Sequence, residues 1–159
     1  MAVAAIYAGS FDPITQGHLD IITRALSLFE KVYVSVIENI EKEPLFSIQE
    51  RIHMIKDSVQ DDRVIVEGFQ GLLVDYAREK NVFTIIRGLR AVSDFEYEFQ
   101  MSLTNRALEP KIDTVFLMTD QKYSYLSSSI VRQLGKLGAN IDAFVPSNVK
   151  QKLQEIYCG

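Results

Sequence analysis

The chain has 159 residues, 47% hydrophobic and 24% charged, which suits one packed domain with no Pro/Gly/Ser-rich linker, internal repeat or block of like charge. A formal net charge of -4 and a sequence pI of about 5.2 give no general attraction to nucleic-acid backbones or anionic membranes, so neither is an expected partner. A single cysteine, Cys158, and two widely separated histidines, His18 and His53, exclude a disulfide and a structural zinc.

Residues 3–8 are apolar and read as a buried strand. The opening run has no basic start and stops at Gly9, too short for a signal or spanning segment, so a cytoplasmic location is expected. Next come Gly9, Ser10, Phe11, Asp12, Pro13, Ile14, Thr15, Gln16, Gly17 and His18. Gly9 lets a phosphate approach the backbone, Ser10 offers a hydroxyl, and the helix start supplies partial positive charge. That charge disfavours an imidazolium, which suits His18 to donate a neutral N–H hydrogen bond to a phosphoryl oxygen. An ordinary turn with a capping histidine fits the same segment equally well. Leu19, Ile22, Ala25, Leu26 and Phe29 then recur at helical spacing, the stripe of a helix packed on a sheet.

A second strand is expected at residues 32–37, followed by a loop in which Lys42 stands among acids. Lys42 reads either as a point charge for phosphate or as a solvated surface lysine. Residues 47–59 follow as a helix with a capping box, Ser47 to Glu50, and an apolar face of Ile48, Ile52 and Ile55. After a third strand at 64–67, Gly68 and Gly71 flank Phe69 next to Leu72 and Leu73, a wall for an uncharged arm or plain core packing. Residues 72–78 read as the third helix.

The fourth strand, 83–87, runs into Arg87, Gly88, Leu89 and Arg90 just before a helix whose apolar positions are Val92, Phe95, Phe99, Leu103 and Ala107, ended by Pro110. Forked guanidinium donors suit phosphate oxygens, and Glu98 suits sugar hydroxyls if its helix face turns to the crevice. An ion pair of Arg87 with Asp94, Glu96 or Glu98 is the alternative. A fifth strand at 114–118 leads to Lys122, Tyr123, Ser124, Tyr125, Leu126, Ser127, Ser128 and Ser129 before a helix at 130–137. One serine suffices as a cap; three also form a cradle for a triphosphate. A last helix spans 147–156.

Strands alternating with helices predict a doubly wound, Rossmann-like α/β domain with a five-stranded parallel sheet, spanning residues 1–159 and binding its ligand beyond the carboxyl ends of the strands. Phosphate-binding chemistry follows the first, second, fourth and fifth strands, while no P-loop or GxGxxG fingerprint is present.

On these residues the chain resembles the bacterial phosphopantetheine adenylyltransferases, in the nucleotidyltransferase superfamily with a T/H-x-G-H motif. The resemblance runs essentially the whole chain. Its carriers are Gly9 to Pro13, Thr15 to His18, Arg87 to Val92, Asp94 to Glu98 and Ser127 to Ser129. Thr15-Gln16-Gly17-His18 indicates only the superfamily, and the stretch from Arg87 to Glu98 narrows it. The resemblance implies that Ser10, Phe11, His18, Gly88, Leu89, Arg90, Glu98, Tyr123, Ser124, Tyr125, Leu126, Ser127, Ser128 and Ser129 contact ATP, with His18 stabilising the transition state. It implies that Ser10, Lys42, Leu73 and Arg87 hold phosphopantetheine, with Met101 and Asn105 lining its pocket. Mg2+ accompanying ATP, no metal ligand from the protein, and a homohexamer are implied likewise. Ala8 departs from the proline usual before this glycine, and Met101 replaces a commoner leucine. Two other readings stay open: a related nucleotidyltransferase with another phosphate acceptor, and a nucleotide-binding module without turnover.

Overall fold

The computed structural model describes residues 3–38 and 43–158. In these, strands and helices alternate: β1 (Ala4–Gly9), α1 (Gln16–Leu26), β2 (Lys31–Ile37), α2 (Ile48–Ser58), β3 (Val64–Phe69), α3 (Leu73–Lys80), β4 (Thr84–Leu89), α4 (Val92–Leu108), β5 (Asp113–Met118), α5 (Ser128–Lys136) and α6 (Ser147–Tyr157). A single 3-10 turn at Gln121–Tyr123 precedes α5. The five strands form one parallel sheet in the order β3-β2-β1-β4-β5, so the expected doubly wound Rossmann-like α/β fold is observed. The order reverses between β1 and β4, where Tyr7 pairs with Ile86, and a crevice opens there.

Period-two alternation along the strands feeds both faces of the sheet. Ala5 and Tyr7 of β1 join Ile21, Ile22, Val34, Met54 and Val149 on one face; Ile6 and Ala8 join Phe69, Val74, Ala77 and Ile85 on the other. Local signals place the helix ends. Ser47 accepts from Glu50 N–H and the Glu50 carboxylate accepts from Ser47 N–H, the capping box legible in sequence. Asn81, left-handed at φ 55°, closes α3.

α4 differs from the other helices. No residue of α4 is buried, and Val92, Phe95, Phe99 and Leu103 of its apolar stripe are 91%, 44%, 47% and 49% exposed. It lies over β4 and β5, the latter an edge strand ending in exposed Met118. Periodicity identifies an apolar face; it does not say whether the same chain covers it.

Candidate active site

The turn after β1 is shaped by the left-handed backbone of Phe11, φ 47°, which folds its ring over Gly9. A Cβ on Gly9 would lie 3.2 Å from Phe11 Cζ. The ring meets Tyr7 edge-on at 5.3 Å and His18 at 5.0 Å. Buried Asp12 holds the turn from the other side, its carboxylate accepting from Leu45 N–H at 2.8 Å and Phe46 N–H at 3.0 Å. Arg51 of α2, almost wholly buried, donates to the carbonyls of Phe46 at 3.0 Å, Ser10 at 2.9 Å and Ile37 at 3.3 Å, joining the ends of β1 and β2.

α1 begins with a capping box in which histidine takes the place of the usual Glu or Gln. Thr15 Oγ1 accepts from His18 N–H at 3.4 Å, and His18 Nδ1 accepts from Thr15 N–H at 3.0 Å. Because Nδ1 is an acceptor, the proton of the neutral ring sits on Nε2. Burial, then the charges of Arg90 and Arg87, lower the His18 pKa from 6.5 to about 4. The expected neutral state therefore stands, with desolvation as its main cause in place of the helix dipole alone.

β4 continues two residues past its expected end, carries Arg87 and stops just before Arg90. Arg87 forms a bidentate pair with Glu98 of α4, Nε to Oε2 at 2.7 Å and Nη2 to Oε1 at 2.6 Å, and its Nη1 donates to Ala8 O at 2.9 Å. Of the three acids proposed as partners for Arg87, Glu98 is the one selected. Arg90 donates to Leu126 O at 2.8 Å and lies 3.6 Å from Asp94. Gly88 between them admits α1 closely: a Cβ there would be 3.1 Å from Ile21 Cγ1.

The three serines hold three different positions. Ser127 is the N-cap of α5, accepting from Ile130 N–H at 3.1 Å; Ser128 Oγ donates to Pro13 O at 2.7 Å; Ser129 Oγ accepts from Arg132 Nη2 at 3.2 Å. The helix starts two residues earlier than expected, so Ser128 and Ser129 form its first turn. Redundant capping does not describe them.

Two cavities meet over the carboxyl end of the sheet. The first, of about 500 Å³, is lined by Gly9, Ser10, Phe11, Gly17, His18, Arg87, Gly88, Arg90, Glu98, Leu126, Ser127 and Ser128. The second, of about 400 Å³, has Ala8, Ser10, Leu72, Leu73, Arg87, Glu98, Met101 and Asn105 among its walls. Ala8, Gly9, Ser10, Arg87, Tyr97 and Glu98 belong to both. Of the other expected residues, Leu89 ends β4 and Ser124 Oγ donates to Gln121 O at 2.9 Å. Tyr123 packs beside the core, Tyr125 is exposed with its ring edge-on to Phe144 at 5.9 Å, and neither these four nor Ser129 lines either cavity. Lys42 lies outside the described residues. Sequence reading passed over Arg132, which donates to the Asp12 carbonyl, and Tyr7 on the floor of the first cavity.

The fold and this paired site define a nucleotidyltransferase, and a cytidylyltransferase-like family model matches residues 6–134. Two phosphopantetheine adenylyltransferases are close relatives. That of Caldanaerobacter subterraneus is 54% identical over 95% of both chains, and that of Lawsonia intracellularis is 53% identical over 97% of this chain and 90% of its own. Among solved structures, a nicotinate-nucleotide adenylyltransferase of Vibrio parahaemolyticus superposes with a TM-score of 0.71 at 16% identity, covering 98% of this chain and 93% of its own. A bifunctional NMN adenylyltransferase/ADP ribose pyrophosphatase of Francisella tularensis, complexed with AMP and a manganese ion, gives 0.72 at 20% identity over 100% of this chain and 50% of its own. These two share the fold. The chain belongs to the phosphopantetheine adenylyltransferase family.

Proposed function

We propose that the protein transfers the adenylyl group of ATP to 4'-phosphopantetheine in coenzyme A biosynthesis, giving dephospho-coenzyme A and pyrophosphate by direct in-line displacement. The observation that carries this reading is the meeting of two cavities at Ser10 and Arg87, the more polar one bordered by helix starts, the other walled by Leu72, Leu73 and Met101. The first cavity takes ATP, through Ser10, Phe11, His18, Gly88, Arg90, Glu98, Leu126, Ser127 and Ser128 of its lining, with Leu89, Tyr123, Ser124, Tyr125 and Ser129 next to these in sequence. The other takes the pantetheine arm, with its phosphate toward Arg87 and Lys42 and its chain along Leu73, Met101 and Asn105.

The acceptor is a phosphate monoester with a second pKa of about 6, already largely anionic at neutral pH, so no general base is required. One acceptor oxygen bonds to the α-phosphorus, the bond from that phosphorus to the α–β bridging oxygen breaks, and pyrophosphate leaves with the bonding electrons. Catalysis is alignment plus stabilisation of charge on the equatorial oxygens. His18 Nε2–H supplies a preorganised donor for one of them, held in place by the Thr15 backbone. A divalent ion such as Mg2+ would come with ATP, held through the triphosphate oxygens. The ion would neutralise charge on the triphosphate.

The same reading extends to one domain over the chain, a cytoplasmic location and a homohexamer. No described helix is long and apolar enough to cross a membrane. The exposed stripe of Phe95, Phe99 and Leu103 on α4, beside the open edge of β5, supports contact between copies. Pyrophosphate release on mixing ATP with phosphopantetheine tests the reaction. Release with nicotinate mononucleotide or glycerol phosphate instead, or with no acceptor at all, would overturn it.

A further inference from the structure

The segment joining β5 to α5 runs through Asp120, the 3-10 turn at Gln121–Tyr123 and Leu126, and the functional reading above places its later residues around ATP. Most of its hydrogen bonds are internal: Tyr123 N–H to Asp120 O at 2.9 Å, Lys122 N–H to Asp120 Oδ1 at 3.1 Å, Leu126 N–H to Tyr123 O at 3.0 Å. Among the described residues, two side chains from elsewhere hydrogen-bond the backbone between Asp120 and Leu126. Arg90 takes the end, donating to Leu126 O at 2.8 Å. Asp20 takes the start: its Oδ2 accepts from Asp120 N–H at 3.0 Å, across 100 positions of sequence.

Asp20 stands on α1 two residues after His18. An acid next to a site for polyanions needs its charge spent elsewhere, and here it is: Arg24 Nε donates to the same Oδ2 at 3.0 Å, and Arg24 Nη2 lies 3.7 Å from Asp120 Oδ2. The Asp20 carboxylate is 18% exposed, shielded enough for this geometry to persist. One rigid helix thus carries both the donor for the α-phosphoryl group and the anchor for the nucleotide segment.

We infer that Asp20 is a positioning residue for ATP: by accepting from Asp120 N–H it fixes the nucleotide segment at a set distance from His18, without touching substrate itself. This rests on the assignment of that segment to ATP. A tether of this kind acts as outer-shell partners of bound groups do, so its loss should weaken ATP about tenfold.

The experiment measures the affinities of wild type, Asp20→Ala and Asp20→Asn for ATP and for phosphopantetheine separately by calorimetry, with hydrogen exchange at the Asp120 amide. Asparagine keeps an acceptor oxygen for Asp120 N–H; alanine does not. Expected for alanine are about tenfold weaker ATP binding, phosphopantetheine affinity within twofold, and faster exchange at Asp120, with asparagine restoring most of the ATP affinity. Unchanged ATP affinity in alanine, equal losses for both substrates, or an asparagine variant as weak as alanine would each overturn the inference. Failure of wild type to bind ATP would instead overturn the functional reading beneath it.

Discussion

Arg87 of β4 and Glu98 of α4 grip each other through two parallel hydrogen bonds of 2.7 and 2.6 Å at the junction of the two cavities. An acceptor phosphate arriving at Arg87 therefore meets a guanidinium whose charge a carboxylate already balances. Glu98→Gln keeps the shape and removes that charge. It should tighten phosphopantetheine roughly threefold to tenfold, a modest gain because Arg87 is partly exposed and screened. ATP should weaken in the same variant if its ribose uses Glu98. Titration of each ligand separately reads both effects, and weaker phosphopantetheine binding would mean that Glu98 serves chiefly to orient the arginine.

Arg87→Ala and Lys42→Ala should weaken phosphopantetheine far more than ATP. Losing one charge-assisted hydrogen bond removes about 1.5 to 3 kcal/mol where water is excluded. Separate binding isotherms check this, and equal losses for both ligands contradict the assignment.

His18→Ala should lower kcat roughly 10²- to 10³-fold, by analogy with removing one oxyanion-hole donor, with substrate affinities changed much less. Alanine also removes half of the cap of α1, so a fall in Tm is expected. His18→Gln separates the two effects, because glutamine is itself a capping-box residue and an amide can donate. It should retain the Tm and part of the rate. A kcat pKa near neutrality that vanishes in His18→Gln, with that variant no faster than alanine, would point to proton transfer instead.

The lowered His18 pKa fixes a sign for acid sensitivity. Between pH 6.5 and about 4 the unfolded chain binds a proton at this position that the folded chain refuses, so stability is lost as pH falls through that window. Denaturant titrations at pH 7 and pH 4.5 should show a smaller acid loss in His18→Gln than in wild type. An equal loss in both would place the sensitivity elsewhere.

Among the serines, Ser127→Ala should cost about 1 kcal/mol of stability as a lost cap. Ser129→Ala should weaken ATP while Tm stays close to wild type. Calorimetric melting and nucleotide titration on both variants decide between capping and triphosphate contact.

Sequence reading found the elements because their signals are local. The Ser47 and Glu50 box, the Gly9 turn and the alternation in β1 each need only a few neighbouring residues. It also brought Ser10, His18, Arg87, Arg90 and Ser128 to one crevice, since the doubly wound topology gathers whatever follows each strand. Contacts between distant positions were beyond its reach. Arg51 reads as a polar residue on a helix, and nothing adjacent to it announces the Ser10 carbonyl it binds. Arg132 and Asp12 lie 120 positions apart. Three serines in a row look redundant until Pro13 and Arg132 are brought beside them. The α4 stripe was legible as a helix face, but periodicity alone does not say whether that face is covered.

Gly88 places a limit on what this scaffold can become. The helix bearing His18 and Asp20 rests on β4 at the width of a missing side chain, where a Cβ would stand 3.1 Å from Ile21. The offset between the histidine on one layer and Arg87 on the other is thus gauged by an empty space, and one added methyl group would require the Ile21 side chain to give way by a few tenths of an ångström. Variation is cheap in the pocket walls, where Met101 can shape a different arm. At Gly88 any larger side chain has to be accommodated by a change at Ile21.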